Sequence, residues 1–290
     1  MPEKFIEFNA LGVPWRINIS AGNFNVELLT AEIKTFLAEY DQAYSRFRPD
    51  SIISKMAIKA GSYKLPDNAE TLLSTYAALY QLTDGLITPL IGQVLVDAGY
   101  DSSYTLQQQK TLVSPAAWED VLSYEFPVLT TTKPVLLDFG GAGKGYAIDL
   151  IANIIRQHNI KTFVIDASGD LWRESSDNAP LTIGLEDPSD STSVIGTASI
   201  GGNVSLCASS GSRRQWSTFT HLINPKTLQS PTSVLGVWIT AGSALIADAI
   251  ATSLFFVEPA ALIDHFSFEY LILHKDRSAT QSANFPAELF

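Results

Sequence analysis

The chain of 290 residues carries 30 acidic against 19 basic side chains, a net charge of −11, and this balance excludes a nucleic-acid surface, which needs clustered cations. With 46% hydrophobic and 17% charged residues and no apolar run of spanning length, it has the composition of a soluble globular protein, long enough for one large domain or two. The single cysteine, Cys207, excludes an internal disulfide and a cysteine-based zinc site.

The opening MPEKFIEFNALG lacks a basic segment followed by an apolar one. A cytoplasmic protein is therefore expected if the chain is complete, and an exported or membrane-anchored one if a leader has been removed. Val13 to Ser20 alternates apolar and polar residues, as a half-buried strand does. From Glu27 to Phe47 the positions Leu29, Ile33, Phe36, Leu37, Tyr40, Tyr44 and Phe47 mark one helical face, which Pro49 and Asp50 end. A second helix is predicted over Ala69 to Thr83, introduced by Pro66-Asp67-Asn68 and closed by Gly85. The segment TDGLITPLIGQVLVDAGYD suits a loop with a short helix lining something.

The stretch Asp138 to Asp149, DFGGAGKGYAID, reads as the exit of a buried strand (Val135 to Leu137), a glycine-dense loop and the start of a helix. Glycines at 140, 141, 143 and 145 let a ligand approach the backbone, and the free N–H groups of a helix start favour an anion such as phosphate. The spacing matches neither common nucleotide fingerprint, and a tight turn without a ligand explains it as well. Thr162 to Asp166 is a predicted strand ending in ASGD, where Asp170 is either a site carboxylate or a cap on its own turn. Strands follow over Leu181 to Leu185, Val194 to Ser199, Val204 to Ala208 and Val234 to Thr240, in antiparallel meander rather than repeated βαβ units. Ser243 then caps a helix that ends before Pro259.

On that late helix, ALIADAIATSLFFV, Asp248 stands among apolar residues, an expensive position unless a cation or strong donors neutralise it. Thr252 lies four residues on, on the same face, so the two can converge on one ion, and oxygen-only donors favour Mg²⁺ or Ca²⁺. The alternative is that Asp248 pairs with an arginine and Thr252 bonds its own helix. Of the histidines, His221 is the one on a shaped segment, THLINP; upstream, ASSGSRR places Arg213 and Arg214 beside a small-residue turn that suits phosphate or a solvated pair.

Taken in order, these pieces resemble the ApbE family of FAD-dependent FMN transferases, which attach FMN to Ser or Thr of target flavoproteins through a phosphoester bond. SRFRPDS (45–51) is similar to the family's SRF-x-P-x-S, and Thr83 to Gly85 opens its TDG segment. DFGGAGKGYAID is similar to DLGGIAKGYAVD, ASGD to the GGD turn, SSGSRR to TSGDYRR, THLINPKT to SHIIDPRTG and ADAIATSLF to ADALATALF. The resemblance spans nearly the whole chain. It implies one ApbE-like domain over residues 1–290 and an α+β fold: a T-fold-like core of antiparallel sheet with packed helices and a glycine-rich loop at a strand-to-helix junction.

Residue by residue, the resemblance implies a Mg²⁺ site made by Asp248, Thr252 and a backbone oxygen at Gly141. It also implies FAD contacts at Tyr44, Asp138, Lys144 and His221. The implied reaction moves FMN from FAD to the hydroxyl of a target flavoprotein bearing a Ser/Thr acceptor motif, with AMP leaving and His221 as general base. Leu11-Gly12-Val13 replaces the family's Met-Gly-Thr, and Thr88 replaces an acidic residue; both Leu11 and Thr88 fall where the flavin would be gripped. A non-catalytic FAD-binding protein and a metal-dependent FAD pyrophosphatase are the competing readings.

Overall fold

A computed structural model describes residues 4–20, 24–175 and 179–290, with the side chain of Arg213 outside that description. The N-terminal strands β1 (Lys4–Ala10) and β2 (Val13–Ile19) form a hairpin whose two-residue turn is Leu11-Gly12. Both turn residues have positive φ, +50° and +76°, which the tight turn of a twisted hairpin requires. Leucine is an uncommon occupant of that conformation.

The sheet continues through β3 (Phe163–Ala167), β4 (Asp170–Glu174), β5 (Val204–Ser210), β6 (Val234–Ala241), β7 (Phe268–His274) and β8 (Ala279–Gln281). Spatial order follows chain order from β1 to β8, and each neighbouring pair is antiparallel. The predicted meander is therefore present, with one departure. Leu181–Asp187 and Asp190–Ile200 leave the main sheet for a separate one, in which Asp190–Ile200 is central and pairs with Leu181–Asp187 on one side and Ala287–Leu289 on the other.

Central strands alternate between two cores, as a period of two residues dictates. On β4 and β6, Trp172, Val237 and Ile239 face the principal core, whereas Leu171 and Trp238 face a second core shared with Leu185, Ala198 and Phe285. The principal core is covered by helices: α1 (Val26–Tyr44), α2 (Ala69–Leu82), α3 (Gly143–Gln157) and α4 (Ala244–Ser253). α4 packs against α3 and against β5 and β6, so it is buried almost all round. That placement buries Asp248.

Two boundaries differ from the sequence expectation. α1 ends at Tyr44 instead of Phe47, because the chain leaves the helix at Ser45 and turns Arg46 inward. The apolar run Val135 to Leu137 is not a strand. Its amides are bonded to helical segments instead: Val135 N–H to the Met56 carbonyl at 3.1 Å, in the helix Ile52–Ile58, and Asp138 N–H, just past the run, to the Pro89 carbonyl at 2.7 Å, in the short helical turn Pro89–Ile91. The glycine loop thus follows an extended connector rather than a strand-to-helix junction, since apolar periodicity reports burial and not pairing.

Gly145 sets the approach of α3 to α4. A Cβ there would lie 2.6 Å from Asp248 Cβ and press into the Ala244 carbonyl. Gly145→Ala should therefore destabilise: the helix-propensity gain of about 1 kcal/mol is outweighed by overpacking of about 1 to 3 kcal/mol or more, because the obstacle is backbone. Chemical denaturation should show a lower midpoint, and an unchanged or raised midpoint would mean that the helices separate freely.

Candidate active site

A cavity of about 550 Å³ opens between the glycine loop, the end of α1, the β1–β2 turn, the C-terminal part of α4 and the segment around His221. Its size is that of a small-molecule site. Leu11, Tyr44, Thr88, Asp138, Gly141, Lys144, His221, Asp248 and Thr252, drawn from across the chain, all line it. The positive-φ turn is what carries Leu11 to the rim.

The loop enters α3 through contacts that set its shape. Asp138 accepts the Gly140 N–H at 2.7 Å through Oδ1, and its Oδ2 is ion-paired with Arg46. Tyr40 donates its hydroxyl to the Gly143 carbonyl at 2.8 Å. Tyr44 donates to Asn68 Oδ1 at 2.7 Å, so its ring rather than its hydroxyl is left for the cavity; burial raises that phenol well above its ordinary range. Thr88 accepts the Leu90 N–H at 3.2 Å and caps a short helical turn, Pro89–Ile91.

Asp248 is 6% exposed, and Oδ2 accepts the Gly145 N–H at 2.8 Å. Among the described residues it forms no ion pair, and the Thr252 hydroxyl makes no hydrogen bond to its own helix. The arginine-paired alternative is thereby set aside. Gly141 lies against Thr252, since a Cβ on it would meet Thr252 Cγ2 at 3.1 Å and Oγ1 at 3.4 Å. No group of three or more His, Cys, Asp or Glu gathers as a metal cluster among the described residues. Gly141, Thr252 and Asp248 line the same cavity, and their carboxylate, hydroxyl and backbone carbonyl are hard oxygen donors of a kind that fits Mg²⁺ better than zinc.

Lys144 also reaches the cavity, but its ammonium is ion-paired with Asp170, a buried carboxylate on β4. Asp170 therefore does not cap its own turn. Its Oδ1 accepts the Ala208 N–H at 3.0 Å from β5, while the Ser168-Gly169 turn is held by Asp166, which accepts the Gly169 N–H at 2.9 Å. Arg214 lines the cavity and donates to the Tyr100 hydroxyl at 2.8 Å; Arg213, paired with it in the sequence argument, has its side chain outside the described residues.

His221 faces the cavity on a segment shaped by Asn224, whose Oδ1 accepts the Lys226 and Thr227 N–H groups at 2.9 and 3.0 Å. Burial, reinforced by the Arg214 guanidinium and opposed by Asp138, pushes the imidazole down from 6.5 to about 4. It is neutral at pH 7 and able to accept a proton. A reaction that needs it as base should keep its rate from pH 8 down to about 5 and lose it as pH falls through about 4. A rate profile with its midpoint near 6.5 would contradict this environment. The sign for stability follows: between about 4 and 6.5 the unfolded chain binds the extra proton, so stability at this group is lost as pH falls across that window.

Sequence reasoning missed Asp149 and Arg46 as site-building residues. Asp149 accepts from Ser243 Oγ at 2.7 Å and from the Ala244 and Leu245 N–H groups at 2.8 and 2.9 Å, holding the start of α4 to α3. The partners lie too far along the chain for any local pattern to pair them. Arg46 stands in the SRF motif, and nothing local to that motif pairs it with Asp138, 92 residues on.

The family model described as the ApbE family matches residues 11–270. A FAD:protein FMN transferase of Haemophilus influenzae is 23% identical over 77% of this chain and 71% of its own length, and one from Klebsiella pneumoniae is 22% identical over 88% and 78%. Among solved structures, the ApbE protein of Thermotoga maritima superposes with a TM-score of 0.84 at 20% identity, covering 99% of this chain and all of that one. A His-to-Gly mutant of the flavin transferase ApbE from Vibrio cholerae gives 0.79 at 17%, covering 98% of each. With the family model spanning the hairpin turn, the glycine loop, the His221 segment and α4, this chain belongs to the ApbE family.

Proposed function

We propose that this protein is a Mg²⁺-dependent FAD:protein FMN transferase, moving FMN from FAD to a Ser or Thr hydroxyl of a target flavoprotein and releasing AMP. The observation that carries this reading is the meeting, in one cavity, of a neutral histidine, a glycine loop with an adjacent lysine, and an oxygen donor set on α4. Asp248, Thr252 and a Gly141 backbone oxygen would hold the cation. When bound there, Mg²⁺ supplies neutralisation of charge on phosphoryl oxygens.

The chain's own residues supply the rest. Tyr44, Leu11 and Thr88 shape the wall on which the flavin end lies, and the glycine loop, which has no side chains at 140, 141 and 143, lets the pyrophosphate approach its backbone. Lys144 adds a positive charge that Asp170 keeps at the cavity edge, where it can bond a phosphoryl oxygen while remaining paired. His221 takes the proton of the acceptor hydroxyl as that oxygen attacks the FMN-side phosphorus, and the bond to the AMP phosphate oxygen breaks.

Incubation with FAD and Mg²⁺, with and without an acceptor peptide of the D-x-x-(S/T)-(G/A)-A-T type, should add the mass of FMN to the peptide and release AMP. FMN and AMP accumulating free, at the same rate without peptide, would instead identify a pyrophosphatase. The protein should also bind FAD at least about tenfold more tightly than riboflavin, a difference of about 1.4 kcal/mol for the phosphate contacts. Equal affinities in a fluorescence titration would reduce the glycine loop to a structural turn.

A further inference from the structure

Arg46 is the buried cation of the cavity wall, with a side chain only 2% exposed. Its Nε is ion-paired with Asp138 Oδ2, and its Nη1 donates to the Tyr100 carbonyl at 2.8 Å. The guanidinium lies over the Phe47 ring at 4.1 Å and the Tyr100 ring at 4.8 Å. Among the described residues its Nη2 is buried without a hydrogen-bond partner, and the guanidinium is covered by the two rings. Arg46 thus ties together three segments that the chain separates: the exit of α1, the Tyr100 loop and the start of the glycine loop.

The last of these ties bears on chemistry. One Asp138 oxygen meets Arg46 and the other accepts the Gly140 N–H, so the guanidinium sets the carboxylate and the carboxylate sets the peptide. Gly140 and Gly141 have no side chains to fix their backbone otherwise. Gly141 in turn abuts Thr252, one helical turn from Asp248.

We propose that Arg46 is a positioning residue for the transfer reaction: through Asp138 it holds the Gly140–Gly141 backbone against Thr252 and Asp248, keeping the cation-binding oxygens together. Its guanidinium is engaged by Asp138, the Tyr100 carbonyl and the two rings, which is what a positioning role requires. The proposal rests on the transferase reading, yet its effect on cation binding is separable from turnover. Lysine is a poor substitute, because a point charge cannot reach Asp138, bond the Tyr100 carbonyl and stack between rings at once.

The test compares wild type, Arg46→Lys and Arg46→Ala at a temperature where each is folded, reading the rise in melting temperature with Mg²⁺ alone and then steady-state transfer. Apparent Mg²⁺ affinity and kcat should each fall about ten- to a hundredfold, the worth of one charge-assisted hydrogen bond, while KM for FAD changes little. Methylguanidinium below denaturing concentrations should restore the Mg²⁺ response of Arg46→Ala; if that variant does not fold, Arg46→Lys carries the comparison. Lower melting temperatures with unchanged Mg²⁺ response and kcat would make Arg46 structural only. A loss confined to KM for FAD, or a wild type with no Mg²⁺ response, would also overturn the proposal. A wild type that responds to Mg²⁺ but transfers no FMN would instead defeat the transferase reading, with the Arg46 comparison still decided by Mg²⁺.

Discussion

Replacing His221 by alanine is expected to lower FMN transfer by about a hundred- to ten-thousandfold, the usual contribution of a positioned general base. FAD binding should weaken by no more than about 1 to 2 kcal/mol, because one contact is lost while the glycine loop and Lys144 remain. The fold should tolerate the change. Among the described residues Nδ1 of His221 has no hydrogen-bond partner, so truncation strands no described neighbour bonded to that nitrogen. The backbone N–H of residue 221 still meets the Arg214 carbonyl at 3.2 Å. Two measurements check this: single-turnover transfer to an acceptor peptide, and FAD titration of the same preparation. A variant with wild-type transfer would remove His221 from proton transfer, and one that binds no FAD would make it a binding residue.

Asp248→Asn is expected to abolish the rise in melting temperature that Mg²⁺ produces and to abolish transfer at ordinary Mg²⁺ concentrations, while leaving the metal-free protein within a few degrees of wild type. The amide keeps the volume of the carboxylate, and its carbonyl oxygen can still accept the Gly145 N–H that Oδ2 now accepts. No cation among the described residues is stranded by the lost charge. Had Asp248 balanced a buried arginine, the same substitution would cost roughly 3 to 5 kcal/mol whether or not metal was present. A ligand that binds only the folded state raises stability by RT ln(1 + [L]/Kd), so the Mg²⁺ titration of melting temperature reads the site directly. A variant that melts far lower yet still gains stability from Mg²⁺ would place the cation elsewhere. Together the two substitutions separate proton transfer, which should fail with Mg²⁺ binding intact, from cation binding, which should fail with His221 intact.

What the sequence determined by itself was the set of elements whose signal is local. The faces of α1 and α2, the glycine-loop entry to α3 and the Ser243 cap of α4 follow from periodicity and capping, and the strands from alternation. The anomaly of a carboxylate inside an apolar helix also singled out Asp248, because burial cost depends on neighbours that helical spacing already supplies. The motifs in register pointed to the family. The tertiary structure alone decided the partnerships. Whether Asp170 capped its own turn or took Lys144, whether Asp138 was open or held by Arg46, and whether Asp149 served its own helix or the start of α4 each turned on atoms far apart in the chain. The same holds for Val135 to Leu137, apolar like a strand yet tied at its ends to helical segments around Met56 and Pro89. Local residue types set how much polar and apolar surface a segment must satisfy; which distant segment satisfies it is set only when α3, α4 and the sheet close on one another.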